Sequence, residues 1–162
     1  MLSRNMQEAL NKQINSELYS AYYYMAMQAY FLENNLDGFA HWMDLQRAEE
    51  TGHALKLFQY VYDREGKVSL AGVVKPQSNF KSALDVMQKS LEHERVVTKM
   101  IHRLYELAGR EKDHATAVFL EWFVKEQVEE EKAALEIVQQ METFGDKGTS
   151  LFMMDRKLAE RK

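Results

Sequence analysis

The chain contains no cysteine, one proline and seven glycines among its 162 residues. Without cysteine it can form no disulfide, thiolate metal site, iron–sulfur cluster or cysteine nucleophile. The scarcity of proline and glycine leaves long stretches without helix breakers. The longest uninterrupted apolar run, residues 21–27, is far too short to span a bilayer. Because the first eight residues lack the apolar stretch of a secretory signal, we expect a cytoplasmic protein with no membrane association.

The composition is that of one soluble globular domain. Hydrophobic residues make up 46% and charged residues 28% of the sequence. A chain of this length can bury a sizeable core. The net charge of −4 argues against nucleic acid as a partner.

Four long stretches show the period of an amphipathic helix, which predicts an all-α fold. The patterns predict a helix from Ser3 or Asn5 to residues 33–35, one from Asp37 to about Gly66, one capped by Ser78 or Asn79 and stopping at Gly109, and one from about Asp113 to Phe144, before Gly145. A short amphipathic segment, residues 151–161, predicts a fifth helix that must dock on something to be stable. We expect residues 1–145 to form the bundle and residues 146–162 a C-terminal helix of the same domain.

Residues 67–80 have no helical period and contain the only proline. A helix of about 28 residues is roughly 42 Å long, and about 14 extended residues can span roughly 46–50 Å. This segment can therefore cross the whole bundle, which makes the second and third helices parallel. It is unusually apolar for a loop, with Val68, Leu70, Val73 and Val74, and we expect a partner subunit to cover it.

Each of the four helices carries a glutamate in the middle of its own core-facing series: Glu17, Glu50, Glu94 and Glu130. The positions around them are mostly apolar, which argues against four glutamates on solvated helix faces. The series are Leu10, Ile14, Ala21 and Tyr24; Phe39, Met43, Gln46, His53 and Leu57; Leu84, Met87, Leu91, Thr98, Ile101 and Tyr105; and Leu120, Phe123, Gln127, Ala134, Ile137 and Met141. No lysine or arginine lies in any series, so no ion pair within the seam neutralises the carboxylates. An isolated buried carboxylate costs several kcal/mol, and a shared metal centre removes this cost.

The pair Glu50-x-x-His53 places a carboxylate and an imidazole on one face of the second helix. Such a pair is weak evidence alone, but here it lies level with three further glutamates. Helix bundles of the di-iron class use this arrangement, with Glu-x-x-His on two of the helices. This chain departs from it on the fourth helix, where Gln127-x-x-Glu130 stands instead. Four carboxylates and one imidazole form an oxygen-rich site that favours iron or manganese, and four negative charges match two divalent ions bridged by one carboxylate.

At these residues the sequence resembles a ferritin of the haem-free prokaryotic type, over essentially the whole chain. The resemblance rests on Glu17 with Tyr24, on residues 46–53 (QRAEETGH), on Glu94 and on residues 127–132 (QVEEEK). It implies a ferritin-like four-helix bundle with a long crossover between helices 2 and 3. It also implies a ferroxidase that oxidises Fe(II) with O2 or H2O2 and stores ferric oxyhydroxide inside a shell of twenty-four identical subunits.

The resemblance also implies a role for each matching residue. Glu17, Glu50 and His53 would hold one iron, and Glu50, Glu94 and Glu130 the second, with Glu50 bridging. Gln127 would lie beside the second iron as a hydrogen-bonding group. Three outer residues match a third iron site of the bacterial members: Glu49, Glu126 and Glu129.

Several of these residues have an ordinary structural interpretation as well. Residues 126–131 could form an acidic surface stretch rather than part of a third site. Tyr24 resembles the family tyrosine beside the centre, which implies a role as an electron source, although a buried tyrosine usually needs only a hydrogen-bond partner. Trp122 has less support as an electron donor, and packing explains it equally well. The remaining histidines, at positions 41, 93, 102 and 114, are expected at the surface or at interfaces.

Other di-iron families fit the sequence less well. Rubrerythrin-like peroxidases usually carry a cysteine-rich module, which this chain lacks. Bacterioferritins carry a haem-binding methionine before the histidine, where this chain has Gly52, so no haem is expected. Dps-like proteins build their iron site between subunits, whereas these ligands complete a site within one chain. A purely structural bundle, or a storage subunit without ferroxidase activity, would not need the five predicted ligands together.

Overall fold

The structure, a computed structural model, describes all residues 1–162 and consists of five helices without a strand. Their bounds are α1 Arg4–Glu33, α2 Asp37–Asp63, α3 Ala83–Glu111, α4 His114–Phe144 and α5 Gly148–Leu158. The all-α prediction, with four long helices and a short fifth, is confirmed.

Of the four long helices, α1, α2 and α4 begin where the sequence predicts, and α3 does not. The Ser3 side chain accepts a hydrogen bond from a backbone N–H of the first turn and caps α1. The third helix begins later than predicted, because Ser82 caps it instead of Ser78 or Asn79. The Ser82 hydroxyl accepts from the Asp85 N–H at 3.1 Å, while the Asp85 carboxylate accepts from the N–H of residue 81 at 2.9 Å. This reciprocal capping fixes the start of α3. The fourth helix is capped at the predicted residue, position 113.

Glycine ends only one of the three helices for which the sequence predicts it. Gly145 directly follows α4, as expected. The second helix already ends at residue 63, and Glu65, not Gly66, takes the left-handed conformation with φ of 57°. The third helix passes through Gly109 to residue 111 and ends where Lys112 has φ of 55°. Non-glycine residues tolerate this conformation at a modest cost, so glycine is a preference here and not a requirement.

The helices run in the order that the crossover predicts. Helices α1 and α2 form one antiparallel hairpin, and α3 and α4 form another. The start of α2 and the start of α3 pack into the same apolar cluster, together with the ends of α1 and α4. Helices α2 and α3 are therefore parallel, and residues 64–82 connect opposite ends of the bundle.

The core consists of two apolar clusters with a polar layer between them. One cluster contains Tyr24, Phe31 and Phe39 at one end of the bundle. The other contains Leu10 and Ile101 at the opposite end. One predicted core position is wrong: Tyr105 is 38% exposed, and residue 104 is buried instead. The buried polar layer between the clusters includes all four seam glutamates.

The fifth helix packs against α2 and α4 at the first of these ends. Its start, at Gly148, is three residues earlier than predicted. A Cβ atom on Gly38 would lie 1.7 Å from the backbone oxygen of Asp155, so only glycine permits this approach. The Asp155 carboxylate also accepts a hydrogen bond from the Phe39 N–H at 3.0 Å. It thereby satisfies one free donor at the N-terminus of α2.

The crossover lies on α1 through polar contacts. The Asn11 side chain donates to the backbone oxygen of Lys67 and accepts from the N–H of Ser69. The side chains of Leu70, Val73 and Val74 are exposed, whereas Val68 packs against the core. The exposed apolar side chains of this segment are a surface that another subunit could cover.

Candidate metal centre

The polar layer brings together the five residues that the sequence predicts as metal ligands. Glu17, Glu50 and Glu94 are at most 2% exposed, and His53 and Glu130 are 6% exposed. They come from the middle of four different helices. No lysine or arginine side chain forms an ion pair with Glu17, Glu50, Glu94 or Glu130.

Glu17, Glu50 and His53 have ligand atoms within 4.8 Å of one another, close enough to hold one metal ion. Nδ1 of His53 lies 3.3 Å from a carboxylate oxygen of Glu50. Gln13 donates a hydrogen bond of 2.8 Å to one oxygen of Glu17. The other oxygen of Glu17 is buried without a hydrogen-bond partner. An unsatisfied buried carboxylate oxygen is rare and fits a cation ligand.

The Glu94 carboxylate is held by two donors, one on α1 and one on α4. The Tyr24 hydroxyl donates to one of its carboxylate oxygens, and Gln127 donates to the other at 3.2 Å. Gln127 also lies 3.3 Å from the hydroxyl of Thr98, which donates to Glu131. This network fixes the orientation of the Glu94 carboxylate from both sides.

Glu130 and His53 form a second ligand group with Glu126, again with atoms within 4.8 Å. Gln46 donates a hydrogen bond of 2.7 Å to Glu130. Nε2 of His53 lies 4.0 Å from Glu126, on the opposite side of the ring from Glu50. The imidazole therefore lies between two groups of carboxylates.

Burial disfavours the ionised forms of these glutamates in the absence of a cation. Desolvation, together with the charge of Glu50, holds the pKa of Glu17 well above its ordinary value. Desolvation and the charge of Glu94 do the same to the pKa of Glu50. The pKa of Glu94 is raised by desolvation too, against the opposing hydrogen bonds from Tyr24 and Gln127. For Glu130, desolvation and then Glu94 raise the pKa to about 7.

The three outer glutamates share one pocket, but only Glu49 is paired with an arginine. Glu49, Glu126 and Glu129 line one pocket of about 500 Å³, together with Glu130 and Arg161. Both carboxylate oxygens of Glu49 accept from Arg161, at 2.8 and 3.1 Å. The pocket is open to solvent and lies next to the buried layer.

The two aromatic residues singled out by sequence differ in their surroundings. Tyr24 is fully buried, and desolvation raises its pKa well above the ordinary value, with Glu94 adding to the effect. Trp122 is 37% exposed, and its ring lies edge-on to His53 with centroids 5.4 Å apart. Lys56 lies over the same indole at 3.3 Å.

The sequence reasoning missed several residues that surround the centre. Gln13 lies four residues before Glu17 on the same face, and this spacing could have found it. His93, expected at the surface or an interface, packs beside Tyr23 and lies 2.7 Å from the hydroxyl of Ser20. Its burial lowers its pKa to about 4. No periodicity could have placed Arg161, because it comes from the end of the chain.

The fold and the buried layer define a class of protein: a helical bundle with a carboxylate-rich centre suited to metal ions. A family model for the ferritin-like domain matches residues 7–144. The "bacterial non-heme ferritin" of Campylobacter jejuni is 40% identical over 156 residues, which cover 96% of this chain and 93% of the relative. That of Staphylococcus aureus is 38% identical over 161 residues, covering 99% and 97%.

A solved structure gives the same result at the level of the fold. An open-pore ferritin from the hyperthermophilic archaeon Archaeoglobus fulgidus matches with a TM-score of 0.98 and 46% identity, over 100% of both chains. The chain belongs to the ferritin family. The resemblance noted in the sequence is confirmed, and family membership supports iron binding and iron storage as the general function. None of the helices is long and apolar enough to cross a membrane.

Proposed function

We propose that this chain is a ferroxidase subunit that oxidises Fe(II) at an intrasubunit dinuclear centre and stores the ferric product inside a shell of twenty-four subunits. The observation that supports it most is a layer of four buried glutamates and one histidine with no cationic side chain among them. Two divalent ions would supply the four positive charges that this layer lacks.

Glu17, Glu50 and His53 are the proposed ligands of the first Fe(II) ion, and their spacing supports this assignment. The free oxygen of Glu17 gives that ion a ligand that nothing else uses. Glu50, Glu94 and Glu130 are the proposed ligands of the second ion, with Glu50 as the bridge. Carboxylate oxygens favour Fe(III) over Fe(II), because the more highly charged ion is the harder acid.

The reaction balances with either oxidant. Two Fe(II) ions supply two electrons, which reduce O2 to H2O2 with two protons or reduce H2O2 to two waters with two protons. Because the pKa of Glu130 is raised to about 7, a substantial fraction of this side chain is protonated near neutral pH before a cation arrives. Binding of Fe(II) would release that proton close to the place where oxygen is reduced.

Tyr24 and Gln127 are proposed to act on the second ion through Glu94. Both donate to this carboxylate, and so they keep its lone pairs aimed into the centre. Tyr24 is also a redox-active side chain that donates a hydrogen bond directly to a proposed ligand. We therefore propose it as a source of an additional electron. Glu49, Glu126 and Glu129 are proposed as an outer site for a third iron.

Assembly into a shell is supported by surfaces that one chain leaves uncovered. Three apolar side chains of the crossover are exposed, at positions 70, 73 and 74, and Tyr22, Met25 and Leu32 are exposed on α1. Apolar surface of this kind favours contact with further subunits.

The test is to replace Glu50 with alanine and follow Fe(II) oxidation by stopped-flow absorbance. Fast oxidation should disappear, because the proposed bridge between the two ions is gone. Size-exclusion chromatography should show an unchanged particle. Glu121→Ala is the matched control, since Glu121 is an exposed glutamate of α4 outside the polar layer. Unchanged kinetics in Glu50→Ala would refute the dinuclear centre.

Iron loading separates storage from catalysis alone. Aerobic apoprotein given a large excess of Fe(II) and then desalted should retain hundreds of iron atoms per large particle. Retention of only about two per chain would identify a di-iron redox enzyme instead.

A further inference from the structure

Arg161, the second-last residue, reaches from the C-terminal end of the chain to the edge of the metal centre. Its guanidinium donates to both oxygens of Glu49 and to the side-chain oxygen of Gln46. Gln46 in turn donates to Glu130, a proposed iron ligand. The only arginine at the outer acidic pocket is thus linked both to the pocket and, through one amide, to the buried centre.

The position of Arg161 is fixed by several contacts along α2. Its backbone oxygen lies 2.8 Å from Nε2 of His41. Its guanidinium lies 5.1 Å from the ring centroid of Trp42. The preceding helix is held by the close approach of Asp155 to Gly38. The docking of α5 therefore places this positive charge in the pocket.

The guanidinium lies against Glu49, so a third cation would have to compete with it for this carboxylate. Both oxygens of Glu49 accept from the guanidinium, so a cation already balances the charge of this carboxylate. Glu126 and Glu129 line the same pocket and form no ion pair with a lysine or arginine side chain, and Lys132, which also lines it, lies 3.9 Å from Glu136 instead. A positive charge that lies beside these carboxylates also repels an incoming divalent ion.

The pair is held weakly enough to open. The side chains of Arg161 and Glu49 are 26% and 41% exposed, and exposed pairs of this kind contribute little net stability. A divalent ion that arrives at Glu126 and Glu129 can therefore compete for Glu49.

We propose that Arg161 is a positioning residue that keeps Glu49 paired, so that the outer acidic pocket takes a third cation only when the guanidinium moves away. The C-terminal segment then controls whether a cation binds in the outer acidic pocket, next to the dinuclear centre. This inference rests on the proposed function, because it assumes that the inner centre binds two ions first.

The test is an anaerobic calorimetric titration of the assembled apoprotein with Fe(II), which reports binding without oxidation. We expect two tight events per chain in the wild-type protein, followed by a weaker third. In Arg161→Gln the third event should tighten by roughly fivefold or more, since an ion pair of this exposure and one repulsive charge are removed. The first two events should keep their stoichiometry.

Three further variants show whether the effect comes from the pocket. Arg156→Gln removes the same charge from an exposed position of α5 and should leave the third event unchanged. Arg161→Lys keeps the charge and should restore most of the wild-type behaviour, although lysine cannot make the two-pronged contact. Arg161→Gln combined with Glu49→Gln should lose the gained affinity, because the released carboxylate is gone.

Each outcome decides between the proposals. A third event that is the same in Arg161→Gln and the wild type, with the first two intact, would overturn the role of Arg161 alone. An equal gain in Arg156→Gln would also overturn it, since general charge would then explain the effect. Absence of the two tight events from the wild type would overturn the dinuclear centre and this inference together.

Discussion

Glu130→Gln should make the apoprotein more stable while it damages the metal centre. Burial and the charge of Glu94 raise the pKa of Glu130 from 4.5 to about 7. Each unit of pKa shift corresponds to about 1.4 kcal/mol, so a shift of this size means that ionised Glu130 costs the folded state about 3 kcal/mol. Glutamine has the same shape, bears no charge and still accepts the hydrogen bond from Gln46.

The effect has a defined sign and pH window. The folded-state pKa of this acid lies above its unfolded value, so the folded state binds the extra proton. The cost is absent below about pH 4.5, grows as the pH rises to 7 and is complete above it. The gain in unfolding free energy from Glu130→Gln should therefore be about 3 kcal/mol at pH 8 and less than about 1 kcal/mol at pH 5.

Denaturant unfolding of metal-free protein at the two pH values measures this gain, with Glu121→Gln as the control at an exposed position of the same helix. A gain that is equal at both pH values would refute the assignment of the cost to a buried charge. Fe(II) binding should weaken in Glu130→Gln whatever the pH, which separates the stability effect from the functional one.

Three further predictions concern the docking of α5, the hydrogen bond to Glu94 and the protons of the centre. Gly38→Ala should lower the unfolding free energy by roughly 1–3 kcal/mol, because the new Cβ would lie 1.7 Å from the Asp155 oxygen. Gly52→Ala is the control in the same denaturant assay: its Cβ meets nothing within 4 Å, so it should be neutral or stabilising. Tyr24→Phe should lower the unfolding free energy by about 1 kcal/mol, because the hydrogen bond to Glu94 is lost. It should also slow the later turnovers of Fe(II) oxidation in stopped-flow experiments. Unchanged kinetics would limit the tyrosine to a structural role. Anaerobic Fe(II) binding should release protons below pH 7, because carboxyl groups with raised pKa values must lose them to bind a cation, and a pH-stat titration without proton release would contradict this.

The sequence predicted the positions of the long helices and the membership of the polar layer well, because both depend on local periodicity. A glutamate flanked at three and four residues by apolar side chains must face the core, whatever the neighbouring helices are. Glu17 and Glu94 were found in this way, although they lie on different hairpins. The length of residues 67–80 permitted the parallel arrangement of α2 and α3, and the family resemblance implied it.

The features that the sequence did not predict depend on contacts between distant residues. The start of α3 was misplaced because Ser78, Asn79 and Ser82 are all good caps, and the reciprocal contact with Asp85 decides among them. The place of Arg161 depends on a docking surface 112 residues away in sequence. Neither feature produces a repeating pattern of residues along one helix, so the sequence of that helix does not predict it.

The division of the core into two apolar clusters separates the side chains that hold the fold together from the proposed metal centre. Side chains such as Phe31 and Ile101 hold the four helices together at opposite ends, and neither belongs to the polar layer. Exchange of a carboxylate, amide or imidazole in that layer leaves both ends packed. A bundle built in this way could acquire a different metal preference through a few substitutions in the central layer, without a new architecture. Such substitutions should cost less packing than substitutions in the two apolar clusters.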